Sequence, residues 1–433
     1  MSLRGISIST SKLEEGKQKV ESEIDKYLQK CNLTQPIYAS SQQFSKHISN
    51  NISFLASLLN IWPKTKTGYF SRSHKDLSAW LTKHTKDARF QKPEVSQWFA
   101  DFFSLVRAES LNKFFQQVEK HMYQNTLTPS WRLMGADTGR ITTSEPGLHS
   151  TPRDRIARSI IVPTDTNNVF VIADYKTIEL VIQAVLAQEP TMLQVLKNQK
   201  DLHTYLAAQI QRKSYDELIC LKTTDPAAYK NMRNPMKAVN FGMIYVMGAQ
   251  TLWNKLLTQG IALNFSEAQH YHTTWKNTFP QIQKYQQFCE NFFNTNTHVL
   301  PPLTGFKYIT SVGGRIRRPE ILLVKNKLDN AQHVRNVLNK TQIVNFPIQA
   351  TCTDFLKTSL RLLYHFISTG VLKASIVLTA HDEIVLECED KNAPQTQQLL
   401  QNVMIVAAHH ILQSPQTIIG VDSAIGHSWE DKP

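Results

Sequence analysis

The stretch Val169-Phe170-Val171-Ile172-Ala173-Asp174-Tyr175-Lys176-Thr177-Ile178-Glu179-Leu180 decides the fold. It opens on a short, continuous apolar run rich in β-branched residues, the pattern of a strand buried on both faces. That strand delivers a carboxylate, Asp174, to its end. Far along the chain the arrangement recurs: Ile376-Val377-Leu378 is closely followed by His381-Asp382-Glu383, which reads as an acidic hairpin. Carboxylates at the ends of buried strands are unfavourable unless something pairs with them, and a divalent cation is the simplest partner.

Between the acidic clusters lies Arg233-Asn234-Pro235-Met236-Lys237-Ala238-Val239-Asn240-Phe241-Gly242-Met243-Ile244-Tyr245. Arg233, Lys237, Phe241 and Tyr245 recur every four residues, along one slowly drifting helical ridge. The two cations suit a polyphosphate, and Lys237 could give a proton to a departing pyrophosphate. Phe241 and Tyr245 continue the ridge with flat apolar faces fit for a sugar and a base pair. Proline is accepted in a first turn and Asn234 can cap it, so a helix starting at about 234 is expected.

Acid, base, acid reads as metal-assisted phosphoryl transfer. Joining a hydroxyl to an α-phosphate needs an activated nucleophile and a neutralised leaving group, which two Mg²⁺ ions roughly 3.5–4 Å apart supply. Magnesium prefers oxygen ligands and keeps several waters. Asp174 and Asp382 are the candidate metal ligands, with the backbone carbonyl of Tyr175 as a third oxygen. Taken singly, either aspartate would be read as a turn cap, and the basic ridge as a solvated face. The combination carries the reading.

Composition agrees. The 433 residues (49.5 kDa, 41% hydrophobic) can bury a large core in several lobes. A net charge of +13 and a pI near 9.4 favour a polyanionic partner, nucleic acid before anionic membrane. Five scattered cysteines without a C-x-x-C pair indicate neither a disulfide framework nor a zinc site. The polar start lacks a secretory signal, and no apolar run approaches a membrane span. A soluble, intracellular protein without a membrane partner is expected.

Residues 1–36 read as a peripheral extension with one helical stretch, Leu13 to Leu28. Helical patterning fills about 40–130 and 177–300. The segment Gly305 to Pro319 suggests a hairpin, and Asn345-Phe346-Pro347-Ile348-Gln349 opens a helix running through Leu363. The acidic hairpin, a closing helix over 395–412 and a strand near 418–421 complete an α+β core with helical lobes.

With these motifs together, the chain resembles the family A DNA polymerases, the group of bacterial DNA polymerase I. Its Asp174-Tyr175-x-x-Ile178-Glu179-Leu180, its Arg233 to Tyr245 segment and its His381-Asp382-Glu383 are similar to that family's three polymerase motifs. Supporting matches run in the same order: Lys64 to Tyr69, Thr138-Gly139-Arg140, Asp201-Leu202-His203, Gly314-Arg315 through Pro319, Asn345 to Gln349 with Asp354, and Gly426 to Trp429. The resemblance implies a right-hand fold: a palm with an antiparallel sheet, helical fingers and a helical thumb. Its expected boundaries are an N-terminal extension (1–36), thumb (37–135), first part of the palm with Asp174 (136–195), fingers (196–344) and second part of the palm with Asp382 (345–433). It implies DNA-templated addition of deoxynucleotides by a monomer. Its partners would be primer–template DNA and deoxynucleoside triphosphates, with two Mg²⁺ as cofactor and Mn²⁺ able to substitute.

By the same resemblance, Asp174 and Asp382 bind metal, Glu383 supports them, and Lys237 assists catalysis. Arg233, Lys237 and His203 would hold the triphosphate, Phe241 and Tyr245 would flank sugar and nascent pair, and Glu179 would bar a ribose 2′ hydroxyl. Lys64, Arg140, Arg315, Asn345, Gln349 and His381 would contact DNA. The segment before the thumb is too short for the nuclease domains some members carry, so a polymerase domain alone is expected. A single-subunit RNA polymerase and a non-catalytic DNA-binding factor are the rival readings. The intact acids oppose the second, and Glu179 with His381-Asp382-Glu383 opposes the first.

Several positions depart from the family pattern: Lys176, Thr177, Val181, His149-Ser150, Thr341, Thr379 and, where glycine is usual, Val246. The changed groups are those that sense primer and template, so looser checking of the terminal pair is expected, with Lys176 as a compensating charge. A β-branched residue resists glycine's positive φ. The fingers helix is therefore expected to hinge beyond Val246, at Gly248.

Overall fold

The computed structural model describes residues 4–433 except 85–86, 90–91, 153, 262, 296, 301–302, 319, 326–331 and 414–417. Seven helices and four strands position the site. They are α1 (Thr10–Lys30), α2 (Pro93–His121), β1 (Asn168–Tyr175), α3 (Ile178–Leu186), α4 (Leu202–Gln211), α5 (Pro226–Ile244), α6 (Lys340–Ser368), β2 (Ser375–Ala380), β3 (Glu383–Glu389), α7 (Ala393–Leu412) and β4 (Val421–Gly426).

The four strands form one antiparallel sheet in the order β2-β3-β1-β4. The apolar run of β1 is continuous because both faces are covered. Phe170 and Ile172 pack into the core shared with α1 and α2, whereas Val169, Val171, Ala173 and Tyr175 pack against α6 and α7. Asp174 continues the Phe170–Ile172 face by the two-residue period of a strand. A separate core around α4, α5, Trp275 and Phe279 forms the helical lobe between the halves of the sheet. No helix among the described residues is long and apolar enough to cross a membrane.

Four expectations need correction. The segment read as peripheral is built in: Ile6–Ser7 pairs with Thr126–Leu127, and Leu13, Gly16, Val20, Ile24 and Leu28 are buried along one stripe of α1. An added Cβ at Gly16 would stand 3.0 Å from Phe115 on α2, so glycine permits the close helix packing. Secondly, α5 starts at Pro226, not at 234. Asp225 accepts from the Ala228 amide (3.0 Å) as N-cap, and Pro226 supplies the first-turn proline. Pro235 is carried inside the helix, where tertiary packing of its neighbours offsets the lost hydrogen bond.

Thirdly, α6 starts at Lys340, where Asn339 and Gln342 form a capping box, and Pro347 lies within it. Lastly, Val246 itself takes the left-handed conformation (φ 56°), while Gly248 is extended (φ −73°). Two hydrogen bonds close the end of α5, Val246 N–H to the Met243 carbonyl (3.1 Å) and Met247 N–H to the Gly242 carbonyl (3.0 Å). This closure requires a left-handed residue just after the helix. It outweighs the steric cost at a β-branched side chain.

Candidate active site

Strand pairing brings the two acidic clusters together. Glu383 on β3 and Asp422 on β4 both stand opposite Asp174 on β1, and Asp382 occupies the β2–β3 turn with His381 (φ 60°). Residues directly opposite share a face, so three carboxylates lie side by side with Asp382 beside them. The outer two are answered by donors. Glu383 accepts from Trp429 Nε1 (2.5 Å) and Lys432 Nζ (3.4 Å), and Asp422 pairs with Lys176 Nζ (2.6 Å).

Asp174 and Asp382 have no cationic partner of this kind. Neither forms an ion pair among the described residues, and Asp174 Oδ1 is buried without a hydrogen-bond partner. The two carboxyls approach within hydrogen-bonding reach of each other. Burial raises both above the ordinary carboxylate range, and neighbouring negative charge, Glu383 for Asp174 and Asp174 for Asp382, raises them further. Among the described residues no cluster of three metal-binding side chains closes on one point. Two adjacent hard-oxygen donors without a cationic partner, rather than a closed cage, suit a cation that keeps much of its water. Tyr175 could contribute only its backbone, because its buried hydroxyl donates to the Met404 carbonyl (2.7 Å).

Beside Asp382 opens a cleft of about 450 Å³ lined by Arg140, Thr177, Glu179, His203, Arg233, Lys237, Phe241 and His381. Nearly all of these are residues the sequence singles out. Arg233 is clamped by Asp201 (Nε–Oδ2 2.7 Å, Nη2–Oδ1 3.0 Å). Burial pushes the Asp201 carboxyl up, but the Arg233 guanidinium and the Thr204 hydroxyl outweigh it and hold it at about 2. His203 is buried, which pushes its imidazole down to about 4 and keeps it neutral. The Asn240 amide contacts His203 Nδ1 (2.9 Å) and accepts from Trp275 Nε1 (2.9 Å), fixing the ring.

Glu179 accepts from Arg140 Nη2 (2.8 Å) and from the Tyr245 hydroxyl, which in turn accepts from Gln349 Nε2 (3.2 Å). The acid expected to bar a ribose is therefore held in place by α5, α6 and the Arg140 loop. His149 packs edge-on to His381 (ring centroids 5.7 Å apart) and contacts the Thr143 hydroxyl. Lys176, expected as a compensating charge, pairs with Asp422 and runs across Gly420.

Of the residues expected to contact DNA, Lys64, Arg315, Asn345 and Gln349 do not line the cleft. Lys64 sits in an exposed turn bridged to Phe70. Arg315 pairs with Asp354 (2.8 Å) and packs its guanidinium on Gly139, bracing the Arg140 loop. Asn345 lies one turn before Gln349 on α6. Sequence reasoning gave no role to Asn240 and did not foresee the pairing of Asp201 with Arg233. Nothing local signals either contact, although Asp201 stands at the N-cap position of α4.

A family model described as DNA polymerase family A matches residues 6–431. DNA polymerase I of Aquifex aeolicus is 27% identical over 315 residues, covering 72% of this chain and 48% of that protein. DNA polymerase I of Treponema pallidum is 28% identical over 374 residues, covering 85% and 33%. The chain thus spans about half, or less, of the length of these curated relatives. Among solved structures, the POL domain of Pol1 from M. smegmatis, in complex with DNA primer-template and dNTP, aligns over 99% of this chain and 68% of that one. The TM-score is 0.75 at 20% identity, a likeness of fold.

Proposed function

This chain belongs to DNA polymerase family A, and from that premise we propose that it extends a primer 3′ end on a DNA template, using deoxynucleoside triphosphates. The observation that carries the reading is Asp174, with a buried Oδ1 that has no partner, beside Asp382, which lines one cleft with Arg233, Lys237 and Phe241 of α5. Two bound Mg²⁺ ions, with Mn²⁺ as a substitute, would activate the primer hydroxyl and neutralise the leaving pyrophosphate. Asp174, Asp382 and the Tyr175 carbonyl are the residues that would hold them.

The protein's own groups do the rest. Arg233 and Lys237 bind the triphosphate by charge, and Lys237 gives the leaving pyrophosphate its proton. Neutral His203 donates a hydrogen bond without adding charge. Phe241 and Tyr245 flank the sugar and the nascent pair. Glu179, fixed by Arg140 and Tyr245, occupies the space a 2′ hydroxyl would need. Glu383 orients the β2–β3 turn through Trp429. Arg140, Asn345, Gln349 and His381 contact primer and template, which the protein engages as a monomer. The His149–His381 contact stands where the family usually has Gln, and it favours looser checking of the terminal pair.

Primer extension by wild type and Asp382→Ala tests the reading. Loss of a metal ligand removes several kcal/mol of transition-state stabilisation, a fall of roughly 10³-fold or more. Near-wild-type extension by the variant, or ribonucleotides used as readily as deoxynucleotides by wild type, would overturn it.

A further inference from the structure

A second basic cleft lies outside the site, on the flank of α6. It encloses about 460 Å³ and is lined by Gly313, Asp354, Lys357, Arg361, His410 and Gln413, among others. Its one carboxylate is already neutralised, because Asp354 accepts from Arg315 Nη2 (2.8 Å) and Ser311 Oγ (2.7 Å). Its two cations, Lys357 and Arg361, are not. Lys357 Nζ donates to the Leu133 carbonyl (2.7 Å) and meets no carboxylate. Arg361 and His410 are exposed and have neither an ion pair nor a hydrogen-bond partner among the described residues. Net positive charge in a concave site, with every nearby acid already engaged, is an anion site.

Its placement indicates which anion. Asn345, Gln349, Thr353, Lys357 and Arg361 follow one another at four-residue steps along α6, each step advancing about 6 Å. Thr353 is buried and bonds back to the Gln349 carbonyl, so the exposed track resumes at Lys357, about 12 Å along the helix from Gln349, whose amide reaches Tyr245 beside the nucleotide cleft. Leu133 and Met134, 64% and 62% exposed, border the track, and Met134 Sδ sits between Arg315 Nη1 (3.2 Å) and Lys357 Nζ (3.3 Å). Large apolar side chains left in water among cations suit a strand whose bases are unpaired and can cover them.

We propose that this flank of α6 binds the phosphodiester backbone of unpaired template, with Lys357, Arg361 and His410 contacting phosphates and Leu133 and Met134 covering bases. The inference deepens the polymerase reading and rests on it.

The test uses the full chain and the double variant Arg361→Ala/His410→Ala, both residues exposed and outside the catalytic cleft. Equilibrium binding is measured across salt for two DNA series. One lengthens the 5′ template overhang at fixed duplex, and the other lengthens the duplex at a fixed short overhang. Wild type should gain affinity with overhang length. The variant should lose that gain, binding the long-overhang DNA roughly fivefold more weakly, with a log–log salt slope smaller by about 0.7 per phosphate contact removed. Its affinity for short-overhang DNA and its extension rate at saturating DNA should match wild type. Equal salt slopes for both proteins on the long overhang, or a loss that tracks duplex length, would overturn the proposal. Wild type that binds with the expected overhang dependence but extends no primer would overturn the polymerase reading and leave the strand site standing.

Discussion

Replacing Asp201 by Asn isolates the clamp on Arg233. Asparagine keeps the one oxygen that caps Thr204, so the change removes the charge and, with it, the second acceptor that the Arg233 guanidinium uses. The Asp201 carboxyl is held at about 2, against an ordinary value near 3.9. At 1.36 kcal/mol per unit, roughly two units correspond to about 2.5 kcal/mol. With 27% of the side chain still exposed, screening reduces this to about 1.5–2 kcal/mol. Because the folded-state value is depressed, the stabilisation is present above the unfolded-state value and is lost as pH falls toward the folded one. Urea unfolding should therefore show a wild-type advantage of about 1.5–2 kcal/mol that is flat from pH 7 to pH 5. It should roughly halve near pH 3 and almost vanish near pH 2. A gap that persists unchanged at pH 3, or none at pH 7, would refute the assignment of this pair as the stabilising contact.

Three other outcomes follow from the same structure. Val246→Gly relieves about 1–2 kcal/mol of left-handed strain, costs about 0.5–1 kcal/mol of backbone entropy and gives up the partial packing of the Val246 side chain, so a gain of up to about 1 kcal/mol in urea unfolding is expected, and a loss of similar size contradicts it. Glu387 is buried and accepts from Arg4, the Thr164 amide (2.8 Å) and Asn168 Nδ2 (2.8 Å). Glu387→Ala should cost about 3 kcal/mol by stranding those donors, and an unchanged thermal midpoint would show that the network contributes nothing. Asp174 and Asp382 have raised folded-state values, so the metal-free protein binds more protons folded than unfolded and loses stability as pH rises through those values. Mg²⁺ should therefore raise the melting temperature more at pH 8 than at pH 5.5, with equal shifts at both counting against the pair.

The strand ends and the basic ridge were legible because they are local. A continuous apolar run ending in Asp174 needs no partner to be recognised, and four-residue spacing puts Arg233, Lys237 and Phe241 on one ridge whatever surrounds the helix. Reading Pro235 as a first-turn residue places the start of α5 too late, and opening α6 at Asn345 does the same there. Asp225-Pro226 and the Asn339 to Gln342 capping box were the stronger signals. The stripe Leu13, Gly16, Val20, Ile24 and Leu28 was likewise visible in the sequence, but only α2 gives it something to bury against. Val246 shows the reverse case. Its side chain argues against positive φ, and two backbone hydrogen bonds decide otherwise. The clamps of Arg233 by Asp201, Lys176 by Asp422 and Glu383 by Trp429 join distant segments, so no local pattern announces them.

The central claim is that Asp174 and Asp382 share a pair of cations. Anomalous diffraction from crystals of the protein grown with dideoxy-terminated primer–template, a deoxynucleoside triphosphate and Mn²⁺ tests it most directly. Two peaks about 3.5–4 Å apart, each touching both carboxylates, are predicted. An ordered ternary complex with no peak between them, or with manganese bound only elsewhere, would contradict it.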